Sequence, residues 1–311
     1  LGVVLASLGL LACHPKTDSV GSLPEPKPIP AYTGPLPTVR FLALGDWGTG
    51  APEQRQVAAA LAGRAKADST QFVMSVGDNF YGYLQSADDP QWANYFENVY
   101  TDTLKREWYT ILGNHDYYGN AQAQLDYART HPGWKLPARY YTFSKRLTLL
   151  HRVQFFCIDT NPFAPEFAGG VNAQVAAQDS TRQLRWLDSA LTASRATWKI
   201  VVGHHPIFST GHHGDTPLVK QRILPILKKH RVPIYFCGHD HDLQHLRVDG
   251  MDFVVTGAAG QTRTSPRPAD GLFRETMKPG FVSVAVGVDS LRCRYYDGAG
   301  NLLYQFGRGR K

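Results

Sequence analysis

Val39-Arg40-Phe41-Leu42-Ala43-Leu44-Gly45-Asp46-Trp47-Gly48 decides how this chain is read. An apolar, strand-forming run ends abruptly in Gly-Asp, and the pattern recurs. Phe72-Val73-Met74-Ser75-Val76 leads into Gly77-Asp78-Asn79-Phe80-Tyr81, and Trp108-Tyr109-Thr110-Ile111-Leu112 into Gly113-Asn114-His115-Asp116. Lys199-Ile200-Val201-Val202 leads into Gly203-His204-His205-Pro206, and Ile234-Tyr235-Phe236-Cys237 into Gly238-His239-Asp240-His241. Side chains carried just past strand ends converge outside the carboxyl edge of a sheet, where α/β proteins collect ligands. A glycine ahead of each lets the backbone turn sharply and approach closely. One Gly-Asp is an ordinary turn. Five successive blocks of oxygen and imidazole donors predict a metal site, with donors enough for two ions.

Between these blocks lie helical patterns. Pro52 opens a helix with Val57 and Leu61 on one face. Ser180 and Gln183 form a capping-box pair ahead of Leu184, Leu187 and Leu191. Thr216-Pro217 starts a helix carrying Val219, Ile223 and Leu227, which Pro225 should kink. Phe155-Phe156-Cys157-Ile158 is a further buried strand. Phe253-Val254-Val255, Phe281 to Val286 and Leu291 to Tyr296 make a strand-rich end. Helix–strand alternation followed by strands predicts an α/β (α+β) domain, with packed sheets and helices outside.

The 311 residues, 43% hydrophobic and 19% charged, suit a folded globular chain. The net charge of +7 is consistent with attraction to anions and equally with plain solubility. No long basic block with interleaved aromatics exists, so no nucleic-acid partner is expected. Residues 1–13 read as an export signal. An apolar stretch too short to span a membrane closes as Leu10-Leu11-Ala12-Cys13, resembling a bacterial lipoprotein signal with Cys13 as the lipidated residue. The missing basic segment and starting Met predict a sequence truncated at its front. Residues 14–37 hold seven prolines and read as an extended tether. Residues 38–311 read as one folded domain. The expected setting is the cell envelope, on a membrane through the lipid, as a monomer. Cys157, Cys237 and Cys293 sit in strand-like runs without Cys-x-x-Cys spacing, which excludes a zinc ribbon and predicts buried, inert thiols.

Taken together, the five blocks resemble a metallophosphoesterase, and more narrowly a purple acid phosphatase of the compact, mammalian tartrate-resistant type. Phe156-Cys157-Ile158-Asp159-Thr160 and Leu218-Val219-Lys220-Gln221 extend the resemblance across the domain. Tyr81 narrows it, because related phosphodiesterases lack a tyrosine three residues after the bridging aspartate. The resemblance implies a sandwich of two mixed β-sheets with a βαβαβ core. It implies an iron(III) site of Asp46, Asp78, Tyr81 and His241 and a divalent site (Fe(II), Zn or Mn) of Asp78, Asn114, His204 and His239, bridged by Asp78. His239 and His241 are two apart and point alike on extended chain. A phenolate is a hard anionic donor for a trivalent ion, and neutral Asn114 suits the lower charge. With a bridging hydroxide counted, about one net positive charge remains to attract a phosphate ester.

The implied activity is acid phosphatase: hydrolysis of phosphate monoesters by a metal-bound hydroxide, without a phosphoenzyme. His115 and His213 match the family's catalytic histidines outside the ligand set, as acid or phosphate binder. Asp116 either orients His115 or is a solvated turn carboxylate. His205 stands where the mammalian type has tyrosine, and either adds a cation near phosphate or fills space. Asp240 and His245 are expected to support the ligands. His14, His131, His151 and His230 carry no motif and are expected at the surface. No cysteine lies near Pro217, unlike the relatives, so redox control by a disulfide there is not expected. Residues 161–178, rich in Ala, Gly and Pro, correspond to the relatives' repressive loop and are expected to be a flexible lid. The competing functions are a phosphodiesterase or nucleotide phosphatase on the same scaffold, a lipid-anchored module that binds phosphate or iron, and redox activity of an iron pair.

Overall fold

The computed structural model describes residues 37–100 and 102–310. The signal-like segment, Cys13, His14 and the tether up to residue 36 lie outside the described residues. The chain first lays down four parallel strands, β1 (Val39–Leu44), β2 (Phe72–Ser75), β3 (Glu107–Thr110) and β4 (Trp134–Lys135). It then builds a second sheet from β5 (Tyr141–Arg146), β6 (Arg152–Cys157), β7 (Trp198–Val202), β8 (Ile234–Cys237), β9 (Leu243–Val248), β10 (Met251–Thr256) and β11 (Phe273–Glu275). Finally β12 (Gly280–Val286), β13 (Ser290–Asp297) and β14 (Leu302–Gly309) return to the first sheet, where β12 lies antiparallel beside β1. The orders are β14-β13-β12-β1-β2-β3-β4 and β11-β9-β10-β8-β7-β6-β5. Both sheets are mixed, as the family resemblance implies.

The layers meet through aromatic rings that the strands' alternation points inward. Phe41 and Phe72 of the first sheet pack edge-on against Phe155 of the second, with centroids 5.3 and 5.5 Å apart, and Phe41 also meets Phe236 at 5.9 Å. Such contacts add roughly 0.5–1.5 kcal/mol per pair beyond burial. Helices cover the outside. α1 (Pro52–Ala67) buries Val57 and Leu61, as expected from their spacing. The short α2 (Asn114–Tyr118), then α3 (Ala121–Thr130) and α4 (Ala173–Ala176), come before α5 (Ser180–Ala193) and α6 (Pro217–Lys229).

Several local expectations are corrected. Asp179, not a Ser180–Gln183 box, caps α5, accepting from Arg182 N at 2.8 Å. Gln183 turns inward and brackets Asp159, accepting from its N–H at 2.8 Å and donating to its carbonyl at 2.9 Å. α6 carries Pro225 inside it and buries Val219, Ile223 and Leu227 as expected. His151 and His230 are half-buried, bonded to Thr197 and Asp188, while His131 is exposed. His245 does not support the site. It is buried on β9 against Asp252, which also takes Arg247 and Arg308 at 2.6 and 2.7 Å. These partners hold the Asp252 carboxyl down at about 2 against its burial. The thiols of Cys157, Cys237 and Cys293 are buried and unpaired with one another. No helix among the described residues is long and apolar enough to cross a membrane.

Candidate dinuclear metal centre

The sharp turns at the strand ends are made by the donor residues themselves. Asp46, Asp78 and His239 have φ of +59°, +52° and +67°, the left-handed region that side chains other than glycine enter rarely. Of the glycines ahead of them only Gly77 is left-handed. Gly113 and Gly238 serve instead by close approach. A Cβ at Gly113 would lie 2.2 Å from Asp78 Oδ1, and one at Gly238 2.2 Å from Asp46 Oδ2. Of the two roles expected of these glycines, Gly113 and Gly238 thus fill close approach and not the left-handed turn.

The structure brings all seven residues expected as ligands together. Asp46, Asp78, Tyr81 and Asn114 follow β1, β2 and β3 of the first sheet; His204, His239 and His241 follow β7 and β8 of the second. Donor atoms of Asp46, Asp78 and His241 lie within 4.8 Å of one another. The Tyr81 hydroxyl stands 3.1 Å from both Asp78 Oδ2 and His241 Nε2. Asn114 Oδ1 lies 3.0 Å from His204 Nε2 and 3.0 Å from His239 Nδ1. Asp78 Oδ1 reaches the second group too, 3.5 Å from His204 Nε2.

His205 is close to His204 and His239. Both of its ring nitrogens are nevertheless engaged, Nδ1 with Thr160 Oγ1 at 2.8 Å and Nε2 with Glu166 Oε1 at 3.0 Å. It is a buried support that holds Glu166 at the cleft, and its pairing pulls the Glu166 carboxyl down to about 2 despite partial burial. His205 does not line the cleft, so the expectation of a phosphate-facing cation there is not met.

Electrostatics show what the cluster lacks. Asp46 and Asp78 are buried side by side, and among the described residues neither has a Lys or Arg partner. Burial, then the charge on Asp78, pushes Asp46 well above the ordinary carboxylate range. Burial lowers His204 to about 4 and His241 to about 3, and burial with the neighbouring imidazoles holds His239 well below the ordinary imidazole range. Burial and the two aspartates raise Tyr81. Adjacent buried carboxylates facing neutral imidazoles form a cavity for cations, because uncompensated buried charge is costly. Hard oxygen donors gather on one side and an amide oxygen with two imidazoles on the other, so the residues present fit a pair of unlike ions.

The loops carrying the donors are fastened by residues whose part the sequence did not disclose. Asp116 neither orients His115 nor faces water. It is buried and accepts from Gly113 N at 2.8 Å, Asn79 N at 3.0 Å, Phe80 N at 3.1 Å and Gln124 Nε2 at 2.7 Å. Burial and the Asp78 charge raise its carboxyl to about 7. Trp47 Nε1 donates to Ser75 Oγ at 2.8 Å, which donates to Asn79 Oδ1 at 2.5 Å, linking the first two loops. Asp240, expected to support the ligands, instead fastens the loop of His213, accepting from His213 N at 2.6 Å and Gly214 N at 3.2 Å.

Above the donors opens a cleft of about 300 Å³, lined among others by Asp78, Asn114, His115, His213, His239 and His241. The His115 ring lies 4.1 Å from that of Tyr81, and the His213 ring 4.3 Å from that of His239. Pro165 and Glu166 bring the 161–178 segment to the rim. That segment is strapped rather than loose, with Asn172 Nδ2 donating to Tyr117 O and Gln174 Nε2 to Gly119 O, both at 2.8 Å. Arg263, which no motif marked, lines the same cleft and donates from Nη1 to His213 Nε2 at 3.0 Å.

Comparison with known proteins agrees with this arrangement. The calcineurin-like phosphoesterase family matches residues 39–243. Purple acid phosphatase 17 of Arabidopsis thaliana is 35% identical, over 97% of this chain and 87% of that protein. Tartrate-resistant acid phosphatase type 5 of Sus scrofa is 31% identical, over 88% of this chain and 87% of its own length. Among solved structures, GAP50, described as the anchor in the inner membrane complex of Plasmodium, shares the fold with a TM-score of 0.80 at 24% identity, over 88% and 90% of the two chains. A purple acid phosphatase from yellow lupin seeds shares it with a TM-score of 0.66 at 16% identity, over 89% of this chain and 54% of that one. A matched family that covers all five donor blocks, together with acid phosphatase relatives aligned over most of the chain, makes this protein a calcineurin-like metallophosphoesterase of the purple acid phosphatase family.

Proposed function

We propose that the protein is an acid phosphatase for phosphate monoesters, with iron(III) held by Asp46, Asp78, Tyr81 and His241 and a divalent ion held by Asp78, Asn114, His204 and His239. The observation that carries this reading is the Tyr81 hydroxyl at 3.1 Å from both Asp78 and His241, inside the carboxylate-rich half of the cluster. When bound, the two ions would supply Lewis acidity toward the phosphoryl oxygens and acidify water enough for attack in mild acid. Water replaces the alcohol at phosphorus, and the departing oxygen needs a proton.

The hydrogen bonds favour a division of labour between the two histidines. Arg263 donates to His213 Nε2, so that nitrogen accepts and has no proton to give. His213 and Arg263 therefore form a phosphate-binding pair, and His115 is the proton donor. Arg263→Ala is expected to raise KM for 4-nitrophenyl phosphate roughly tenfold with a smaller change in kcat, because a charge-assisted contact to the substrate is lost. Steady-state kinetics and the inhibition constant of inorganic phosphate check this.

Tyr81→Phe tests the iron assignment. The wild-type protein is expected to show a visible tyrosinate-to-iron(III) band, and the variant to lose it with its far-ultraviolet circular dichroism unchanged. A colourless, active wild-type enzyme with two divalent metals would refute the assignment. Equal turnover of diesters and monoesters would favour the phosphodiesterase reading. Export and lipidation at Cys13 complete the proposal; support comes from Leu10-Leu11-Ala12-Cys13 in the sequence, and the mass of the mature protein tests it. The 161–178 segment, with Pro165 and Glu166 at the cleft, is proposed to restrict substrate size.

A further inference from the structure

The donor loops leave the carboxyl ends of β1, β2, β3, β7 and β8, and the opposite ends of these strands carry different chemistry. The β5–β6 hairpin projects there. At its tip Leu149 and Leu150 are 91% and 88% exposed, the most exposed of the large hydrophobic residues described. The tip is ordered by its own bonds. Leu147 is buried beneath it, Leu147 N and Thr148 N both donate to His151 O at 2.9 and 3.0 Å, and Leu150 N donates to Thr148 Oγ1 at 3.2 Å. The closed turn holds two adjacent leucines outward, where water solvates them unfavourably.

Cations share this end of the fold. Arg146 and Arg152 face each other across the hairpin, and Arg195 and Arg231 precede β7 and β8 at the same end. All four are exposed, and none has a carboxylate partner among the described residues. The acids at this end include Asp249, Asp289, Glu107 and Asp188, and each is taken by another cation: Lys228 at 2.6 Å, Arg310 at 3.7 Å, Lys145 at 2.6 Å and Lys229 at 2.8 Å. The surface is continuous. Thr197 N donates to Arg152 O at 3.0 Å, and Trp198 Nε1 donates to Gly287 O at 2.8 Å. Gly287 follows Val286, which pairs with Val39. The chain therefore enters β1 on this face, after the 37 residues that precede Thr38.

We propose that this face docks on an anionic lipid bilayer, with Leu149 and Leu150 in the interfacial layer and the four arginines among the headgroups. Apolar insertion and basic attraction reinforce each other, since either alone gives only weak, reversible membrane binding. The orientation that results turns the catalytic cleft away from the lipid and toward soluble phosphate esters.

The test uses the full chain carrying Cys13→Ser, so that it does not depend on lipidation. An environment-sensitive fluorophore is placed at Leu150→Cys or, as control, at Thr264→Cys near the cleft. With vesicles of phosphatidylcholine and phosphatidylglycerol, a blue shift is expected at 150 and not at 264, and it should vanish with phosphatidylcholine alone. The pair Leu149→Ser and Leu150→Ser is expected to weaken vesicle association roughly tenfold, with turnover of 4-nitrophenyl phosphate unchanged. No shift at 150, or an equal shift at 264, overturns the proposal. So would a dimer in sedimentation that the serine pair dissolves, without any vesicle response, since a second copy would then be the occupant.

Discussion

Asp78→Asn is expected to lower turnover by more than about 100-fold and to empty both metal positions. Residues that merely support a ligand cost 10- to 100-fold when changed, so a carboxylate shared by two ions should exceed that range. The substitution is well matched to its site. Asparagine tolerates the left-handed backbone that Asp78 adopts at φ +52°, so the expected loss does not come from strain. It keeps an acceptor for His115 N, now 2.9 Å from Asp78 Oδ1, but removes the charge that would compensate two cations. Metal content by elemental analysis, beside kcat on 4-nitrophenyl phosphate, checks both halves. Full activity with both metals retained would remove Asp78 from the proposed bridge.

Asp116→Ala is expected to cost about 4–5 kcal/mol of stability, although Asp116 is not assigned to either ion. Its carboxylate accepts three backbone N–H groups and the Gln124 amide while almost fully buried. Alanine would leave these donors without partners or water, each a penalty of about 1–3 kcal/mol, partly relieved by local rearrangement. For a domain of this size the thermal midpoint should fall by roughly 10 °C. Asp116→Asn, which keeps one acceptor oxygen, should fall less. Thermal unfolding of the three proteins with metals loaded measures this, and equal midpoints would contradict the proposed fastening of the Asp78 and Asn114 loops.

The two cases separate what the sequence discloses from what it does not. Asp78 was legible because its type and place, an acid just past an apolar strand, are enough to announce a ligand. Tyr81 was legible only through the resemblance; by itself an aromatic near a strand end reads as packing. Asp116 was ambiguous because a turn aspartate looks the same whether it faces water or collects buried N–H groups, and only the third dimension distinguishes them. The same holds for Gln183, which has capping-box spacing yet turns inward to Asp159. His205 adjoins a ligand in sequence but is withdrawn by Thr160 and Glu166, residues about forty positions away. Arg263 lay in a loop without periodicity, and only its hydrogen bond to His213 brings it to notice. Strand positions followed from hydrophobic runs because buried strands must be apolar on both faces. Exact ends and caps did not, because single side-chain bonds decide them.

The oxygen donors hang from one sheet and the imidazoles from the other. Ions bound between them would act as a rivet across the seam of the sandwich. Separating the two layers would then require stripping coordination as well as exposing the phenylalanines at their interface, so resistance to heat should rise with the concentration of free ion. The same cations that would activate water would thus serve as a cross-link, and a chelator should part the sheets at their catalytic end first.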